Sequence, residues 1–117
     1  MNQLLEQLRA KDPETYAKYD SLELATYKQY DDYGHTEEYI YADDLIEAAR
    51  AAWLQAVLQE AISSRGWAST LTYNPPDGPE APHWSAHIWP DEHCQMSHKA
   101  DSPAEALLAA YVEAMSK

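Results

Sequence analysis

The sequence is poor in the residues on which small secreted proteins and phosphate-binding enzymes depend. It has one cysteine, Cys94, so no disulfide can form within the chain, as is usual in a reducing cytoplasm. Its three glycines, Gly34, Gly66 and Gly78, are isolated, whereas a phosphate-binding loop needs glycines close together. No apolar run approaches the ~20 residues of a membrane span, and no basic stretch followed by an apolar run marks a signal peptide. We therefore expect a cytoplasmic protein.

Basic residues are also scarce. Eight Lys and Arg stand against twenty Asp and Glu, which gives a net charge of −12 at pH 7. Binding to a nucleic-acid backbone or an anionic membrane requires basic side chains, so we expect neither. The acid is compatible with docking on a basic protein surface, and it also has the plainer interpretation that it keeps a small protein in solution.

The aromatic residues are unevenly distributed. There are nine tyrosines, four tryptophans and no phenylalanine, and seven of the tyrosines precede residue 45. Residues 1–47 carry twelve Asp or Glu against four Lys or Arg, whereas residues 48–117 carry eight against four. This asymmetry predicts an acidic, tyrosine-rich helical extension over residues 1–35 and a second part over residues 36–117.

The predicted extension consists of two helices. The first covers residues 2–10, and Asp12-Pro13 is typical of an N-cap followed by the first helical position. A helix from Pro13 to about Asp32 would end at Gly34 and would place four tyrosines on one side: Tyr16, Tyr19, Tyr27 and Tyr30. Residues 35–42 are compatible with a helix capped by Thr36 or with an extended connection, and we favour the extended form.

The longest helix is predicted from Asp43 to Gly66, since it is rich in helix formers and lacks proline. It is apolar on two sides, so we expect both sides to be covered. The predicted sheet would cover one broad face of this helix. That face comprises Leu45, Ile46, Ala49, Ala52, Trp53, Ala56 and Val57. The opposite stripe of Leu54, Leu58 and Ile62 is expected to pack on the tyrosine helix or on a second subunit.

After Gly66 the apolar period changes from that of a helix to that of a strand. Strands are predicted over residues 67–73, 83–89 and 93–98, and Ser102-Pro103 begins a last helix. Trp84, Ala86 and Ile88 would face the core. The predicted fold class is α+β: a three-stranded antiparallel meander with helices packed on one face (αβββα) and an N-terminal helical extension.

Two families share features with this chain. Double-stranded RNA-binding domains have the same αβββα element order, but RNA binding needs several basic side chains in the region of residues 99–105, which here holds one, Lys99, beside Asp101 and Glu105. Gly66-Trp67, Trp84, Trp89-Pro90-Asp91 and residues 101–106 make residues 43–117 resemble small phage-encoded accessory proteins of the "ABA sandwich" type. This resemblance implies an accessory protein of a phage or mobile element and supplies no catalytic residues.

One cluster raises the question of a metal site: His83, His87, His93, Cys94 and His98 lie within sixteen residues. Strand alternation turns His83, His87 and His93 outward and the other two inward, so four ligands cannot converge as zinc requires. A weak three-histidine site on the outer face stays open as an alternative. Cys94 faces the core, where a thiol is usually inert. We expect no catalytic residues, no cofactor and no enzyme.

The remaining candidate is a protein-binding surface of tyrosine and acid, because these side chains can hold Lys and Arg through carboxylate pairing and cation–π contact. Its predicted members are Tyr16, Tyr19, Asp20, Glu23, Tyr27, Tyr30, Asp31, Asp32, Tyr33, Glu37 and Glu38. A possible second surface on the outer sheet face comprises His83, His87, Trp89 and His93.

The function expected from this surface is occlusion of a basic, nucleic-acid-binding host defence complex, in the manner of an anti-CRISPR protein or DNA mimic. The alternatives are a structural or regulatory homodimer formed through Leu54, Leu58 and Ile62, and a weak metal-binding protein that uses the surface histidines.

Overall fold

The computed structural model describes the backbone of residues 1–22, 27–30, 36–39 and 43–116, and the side chains of residues 1–22 and 46–116. The fold class is α+β, as predicted. The helices are α1 (Asn2–Lys11), α2 (Pro13–Asp20), α3 (Asp43–Ser64) and α4 (Pro103–Met115). The strands are β1 (Tyr27–Tyr30), β2 (Thr36–Tyr39), β3 (Ala68–Asn74), β4 (His83–Asp91) and β5 (Cys94–Ala100).

The strands form two separate sheets. β1 and β2 make a two-stranded antiparallel ribbon, and the other three make an antiparallel meander in the order β3-β4-β5. The predicted alternation holds in the meander, where Ala86, Ile88 and Met96 are buried. β4 continues through Asp91 with a register irregularity, so the turn to β5 is shorter than the three residues, 90–92, that separate the predicted strands.

Two helix ends follow from residues that the sequence identifies. Ser102 caps α4 by accepting a hydrogen bond from the Glu105 amide, and Pro103 occupies the first turn. At the end of α3, Gly66 has a φ of 73°, and the amides of Gly66 and Trp67 donate to the carbonyls of Ser63 and Ile62. This pairing is a Schellman motif, which the left-handed conformation of the glycine permits.

The core lies around α4. Five residues on the inner side of this helix are buried, together with Leu108 and Val112 on other sides. Those inner residues are Ala106, Leu107, Ala110, Tyr111 and Ala114. The helix contacts β4 and β5 on one side and α1 and α3 on others, and Leu8 of α1 is fully buried in the same cluster.

The burial of α3 corrects the two-face prediction. Leu54, Leu58 and Ile62 are 0%, 0% and 1% exposed and belong to the core, whereas on the broad face Val57 is buried and Ala52 and Ala56 are exposed. Leucine, isoleucine and valine bury far more apolar area than alanine, which explains why the narrower stripe is buried throughout while the alanines Ala52 and Ala56 are not. The homodimer contact predicted through Leu54, Leu58 and Ile62 therefore has no accessible surface on the folded chain.

The helix predicted from Pro13 to Asp32 is also wrong, because α2 ends at Asp20. Residues 27–30 are instead a strand that pairs with residues 36–39, so the extended alternative for residues 35–42 is correct over Thr36–Tyr39. α1 and α2 pack on the core with α3 and α4. The predicted boundary between residues 1–35 and 36–117 falls at residue 35, outside the described residues.

Candidate protein-binding surface

The tyrosines predicted to form one helical stripe fall into two groups. Tyr16 and Tyr19, on α2, are partly buried against the core, and their ring centroids are 6.1 Å apart. The guanidinium of Arg9 lies 5.8 Å from the centroid of the Tyr16 ring. Tyr27 and Tyr30 are in β1 instead. The first group therefore contributes to stability, in agreement with the structural role that the sequence left open for the stripe.

A tertiary contact fixes the end of α2. The indole N–H of Trp53, on α3, donates to the carbonyls of Lys18 and Tyr19, at 3.1 Å in each case. The Ser21 hydroxyl also donates to the Lys18 carbonyl at 2.7 Å. Carbonyls in the last turn of a helix lack partners within it, and these bonds satisfy two of them. The helix consequently ends at Asp20, which is exposed.

The acidic segment, as we call it, covers residues 20–47 and begins with this last residue of α2. It contains nine Asp or Glu, five Tyr and a single basic residue, Lys28. The ribbon within it pairs Tyr27 with Tyr39, Lys28 with Glu38, and Gln29 with Glu37. Glu23, Asp31, Asp32 and Tyr33 lie outside the described residues. Of the predicted surface, the structure therefore brings together Tyr27, Tyr30, Glu37 and Glu38 through strand pairing.

The sequence did not reveal a polar cluster, which we call the Asp12 network: the buried residues Asp12, Thr15 and Tyr111, and the exposed Arg65. The Asp12 carboxylate accepts hydrogen bonds from the Thr15 hydroxyl at 2.6 Å and from the Tyr111 hydroxyl. Arg65 donates from Nε to the Tyr111 hydroxyl at 3.2 Å, and its guanidinium pairs with Asp12 at 3.4 Å. The cap position of Asp12 was predicted, but nothing local in the sequence indicated a partner 99 residues away.

The network shifts the pKa values of its members in directions that stabilise an ionised carboxylate. Burial opposes ionisation of Asp12, but hydrogen bonds from Thr15 and Tyr111 and the charge of Arg65 outweigh it, so the pKa of Asp12 is lowered. Burial, together with the hydrogen bond to Asp12, raises the pKa of Tyr111. The network joins α2, the end of α3 and α4, and it holds the helices that precede the acidic segment on the core.

The outer sheet face does not assemble the predicted histidine cluster. His83 begins β4, His87 lies four residues further along, and His93 lies in the turn beyond the other end of the strand. At ~3.3 Å per residue, His83 and His87 are about 13 Å apart along the strand, too far to share a metal ion. Throughout the described ranges, no three metal-ligating side chains are close enough to hold one.

The middle of that face is occupied by internal contacts. Nδ1 of His87 lies 2.7 Å from the Ser97 hydroxyl and 3.0 Å from the Gln95 amide nitrogen, and its ring stacks on Trp89 with centroids 5.9 Å apart. His87 and Trp89 are both half-buried, and His93 is exposed. The weak three-histidine metal site is therefore wrong, while a second contact surface at this face stays a prediction.

Other chemical features have structural explanations. His98 pairs with Glu113 of α4, which connects β5 to the helix that covers it. Cys94 is half-buried.

In the part of the chain that is described, no helix combines the length and apolar character required to cross a membrane.

The chain was also compared with known proteins. No protein-family model, curated protein or solved structure matches it.

Proposed function

We propose that this chain is a non-enzymatic, acidic protein-binding protein that docks on a basic surface of a partner through its acidic segment. The observation that carries the proposal is the concentration of charge and tyrosine there: nine Asp or Glu, five Tyr and one basic residue in residues 20–47. Nothing comparable occurs elsewhere in the sequence. Carboxylates pair with Arg and Lys, and tyrosine rings accept cation–π contacts from the same side chains.

The architecture supports assigning the binding role to this segment. Tyr16 and Tyr19 are engaged with the core, so their contribution is to stability, and the proposed contact moves to the tyrosines that follow α2. The Asp12 network and the Trp53 indole hold α2, whose last residue begins the segment, and the segment ends within the first turns of α3. A segment with both flanks held by folded elements loses less conformational entropy on binding than a free tail does.

The proposed partner is a host complex that itself binds nucleic acid, and the proposed effect is occlusion of its basic surface in the manner of an anti-CRISPR protein or DNA mimic. A surface that binds phosphate groups is rich in Arg and Lys, and it therefore attracts a protein of net charge −12. A phage or mobile element is the source that this role and the sequence resemblance suggest, with action in the host cytoplasm.

The test is capture from a bacterial lysate on the immobilised protein, with elution by a salt gradient and by double-stranded DNA. We expect the retained proteins to be nucleic-acid-binding proteins that DNA displaces, and we expect their retention to fall on the order of tenfold between low and high salt, because exposed charge pairs are screened. Retained proteins that neither salt nor DNA displaces would contradict the proposal.

A further inference from the structure

β3 is an edge strand that lacks the usual protection against pairing with another chain. It pairs with β4 on one side, and among the described strands none pairs with its other side. Alternate residues of such an edge direct their N–H and C=O groups outward. Proteins usually protect an edge with charged residues, proline or a bulge. β3 (Ala68–Asn74) contains no charged residue and no proline, and its pairing with β4 is regular.

The opposite edge of the same sheet differs. β5 contains Lys99, its His98 is engaged with Glu113, and its pairing with β4 shifts register between Ile88 and Asp91. A charged side chain and a register irregularity both discourage further strand addition. The contrast identifies β3 as the edge that is open to another strand.

The side chains of β3 also favour pairing. Its sequence is Ala-Ser-Thr-Leu-Thr-Tyr-Asn, rich in the residue types that strands prefer. Thr70 and Thr72 are exposed, and Tyr73 is 50% exposed although its ring packs on Trp84 with centroids 5.3 Å apart. Short segments with high strand propensity, little charge and no proline readily pair with identical segments.

The charge of the strands at this edge is compatible with a second copy of the chain as its occupant. A copy of a chain with net charge −12 is repelled by another copy wherever carboxylates meet. Neither β3 nor the part of β4 paired with it, His83–Trp89, contains Asp or Glu. Two copies can therefore approach along this edge without placing carboxylates opposite each other.

We propose that β3 pairs antiparallel with β3 of a second copy, with Leu71 opposite Leu71, so that two three-stranded sheets become one six-stranded sheet. This register uses all seven residues of the strand and is symmetric about a two-fold axis, as in most homodimers. It places Thr70 opposite Thr72 of the second copy, and threonine pairs stabilise adjacent strands. The contact is small, so the dimer dissociates on dilution.

The test uses charge pairs at the two threonines. In the proposed register, the opposite-charge variant, Thr70→Lys with Thr72→Glu, places a lysine opposite a glutamate at both positions where residues 70 and 72 of the two copies meet. Two like-charge variants place equal charges at those positions. They are the double-lysine variant, Thr70→Lys with Thr72→Lys, and the double-glutamate variant, Thr70→Glu with Thr72→Glu. Mass is measured by sedimentation equilibrium from about 1 µM to about 1 mM, the range in which weak association is resolved. Circular dichroism checks that each variant is folded.

We expect the parent and the opposite-charge variant to dimerise and both like-charge variants to dissociate at least tenfold more readily. The double-lysine variant is decisive, because it lowers the net negative charge and would associate more readily if overall repulsion governed association. A charge-matched control, Gln3→Lys with Gln7→Lys at exposed positions of α1, should dimerise at least as well as the parent.

Four results would overturn the proposal, and the first three concern the parent, the like-charge variants and the control. They are a parent that is monomeric over the whole range, like-charge variants that dimerise as the parent does, and dissociation of the α1 control alone. Failure of the opposite-charge variant to dimerise would exclude the register centred on Leu71 and with it the proposal. None of these outcomes bears on the proposed partner binding, which uses a different part of the chain.

Discussion

Removal of the Asp12 carboxylate is the perturbation for which the structure predicts the largest effect on the N-terminal helices. Asp12→Ala removes the cap of α2, which is typically worth about 1 kcal/mol. It also removes the acceptor for the Tyr111 hydroxyl and the partner of Arg65, and hydrogen bonds to charged groups contribute about 1.5–3 kcal/mol. We therefore expect the free energy of unfolding to fall by about 3 kcal/mol.

The assay is urea unfolding followed by circular dichroism. Ser102→Ala is the matched control, since Ser102 caps α4 through the Glu105 amide, with no long-range partner for its hydroxyl in the described structure. It should cost only the capping contribution, about 1 kcal/mol. Tyr111→Phe removes the other half of the buried pair, and in a double-mutant cycle with Asp12→Ala it should show a coupling of about 1–2 kcal/mol.

The reasoning would be refuted if Asp12→Ala cost no more than Ser102→Ala, or if the cycle showed no coupling. Either result would mean that the network contributes only a local cap and does not hold α2 on α3 and α4.

Three further predictions concern the core, the Trp53 indole and the Asp12 network. Leu58→Ala should reduce the free energy of unfolding by about 2–5 kcal/mol in a urea titration, because a fully buried leucine leaves a cavity; a loss below about 1 kcal/mol would contradict the burial of this stripe. Trp53→Phe should cost about 0.5–1.5 kcal/mol in the same assay, because the carbonyls of Lys18 and Tyr19 lose their indole donor while most of the ring packing is kept. Because the pKa of Asp12 is lowered in the folded state, the stability that its carboxylate contributes is present above the unfolded pKa of ~3.9 and is lost as pH falls through the folded pKa. Asp12→Asn should therefore lose less stability than the parent between pH 5 and pH 3. Parallel pH profiles for the two proteins would contradict this.

Local patterns in the sequence were sufficient for the elements whose cause is local. Pro13 and Pro103 each follow a capping residue, and helices begin at both positions. Gly66 ends α3 through its left-handed backbone, and the strand alternation identified Ala86 and Ile88 as core residues. In each case a residue or its near neighbours fix the conformation.

The errors arose where a distant contact decides the structure. The helical pattern continues past Asp20, but Trp53 bonds to carbonyls of the last turn, and the strand pairing of residues 27–30 with residues 36–39 replaces further helix. On α3, periodicity identified two apolar faces but not how much of each is buried. The large side chains of Leu54 and Leu58 were the indication that their stripe is buried, and the number of apolar residues on each face did not show it.

The same limit applies to the candidate site. Sequence alone identified the concentration of acid and tyrosine, because composition needs no three-dimensional information. It could not separate the tyrosines engaged with the core from those beyond α2, since that division depends on where α2 ends. The Asp12 network was inaccessible for a similar reason: Tyr111 reads as an ordinary inner residue of α4 until its hydroxyl is placed beside Asp12.

The most direct test of the central claim compares two charge-neutralised proteins for binding to a partner captured from lysate. One carries Asp31→Asn, Asp32→Asn, Glu37→Gln and Glu38→Gln in the acidic segment. The control carries the same number of changes at exposed carboxylates elsewhere: Glu6→Gln, Glu60→Gln, Glu92→Gln and Asp101→Asn.

Both variants lose four negative charges, so a difference between them reports where the charge lies and not how much there is. We expect the segment variant to bind at least tenfold more weakly than the parent, equivalent to about 1.4 kcal/mol, and the control to bind within about threefold of the parent. Equal affinities for the two variants would contradict the claim that the acidic segment is the binding surface.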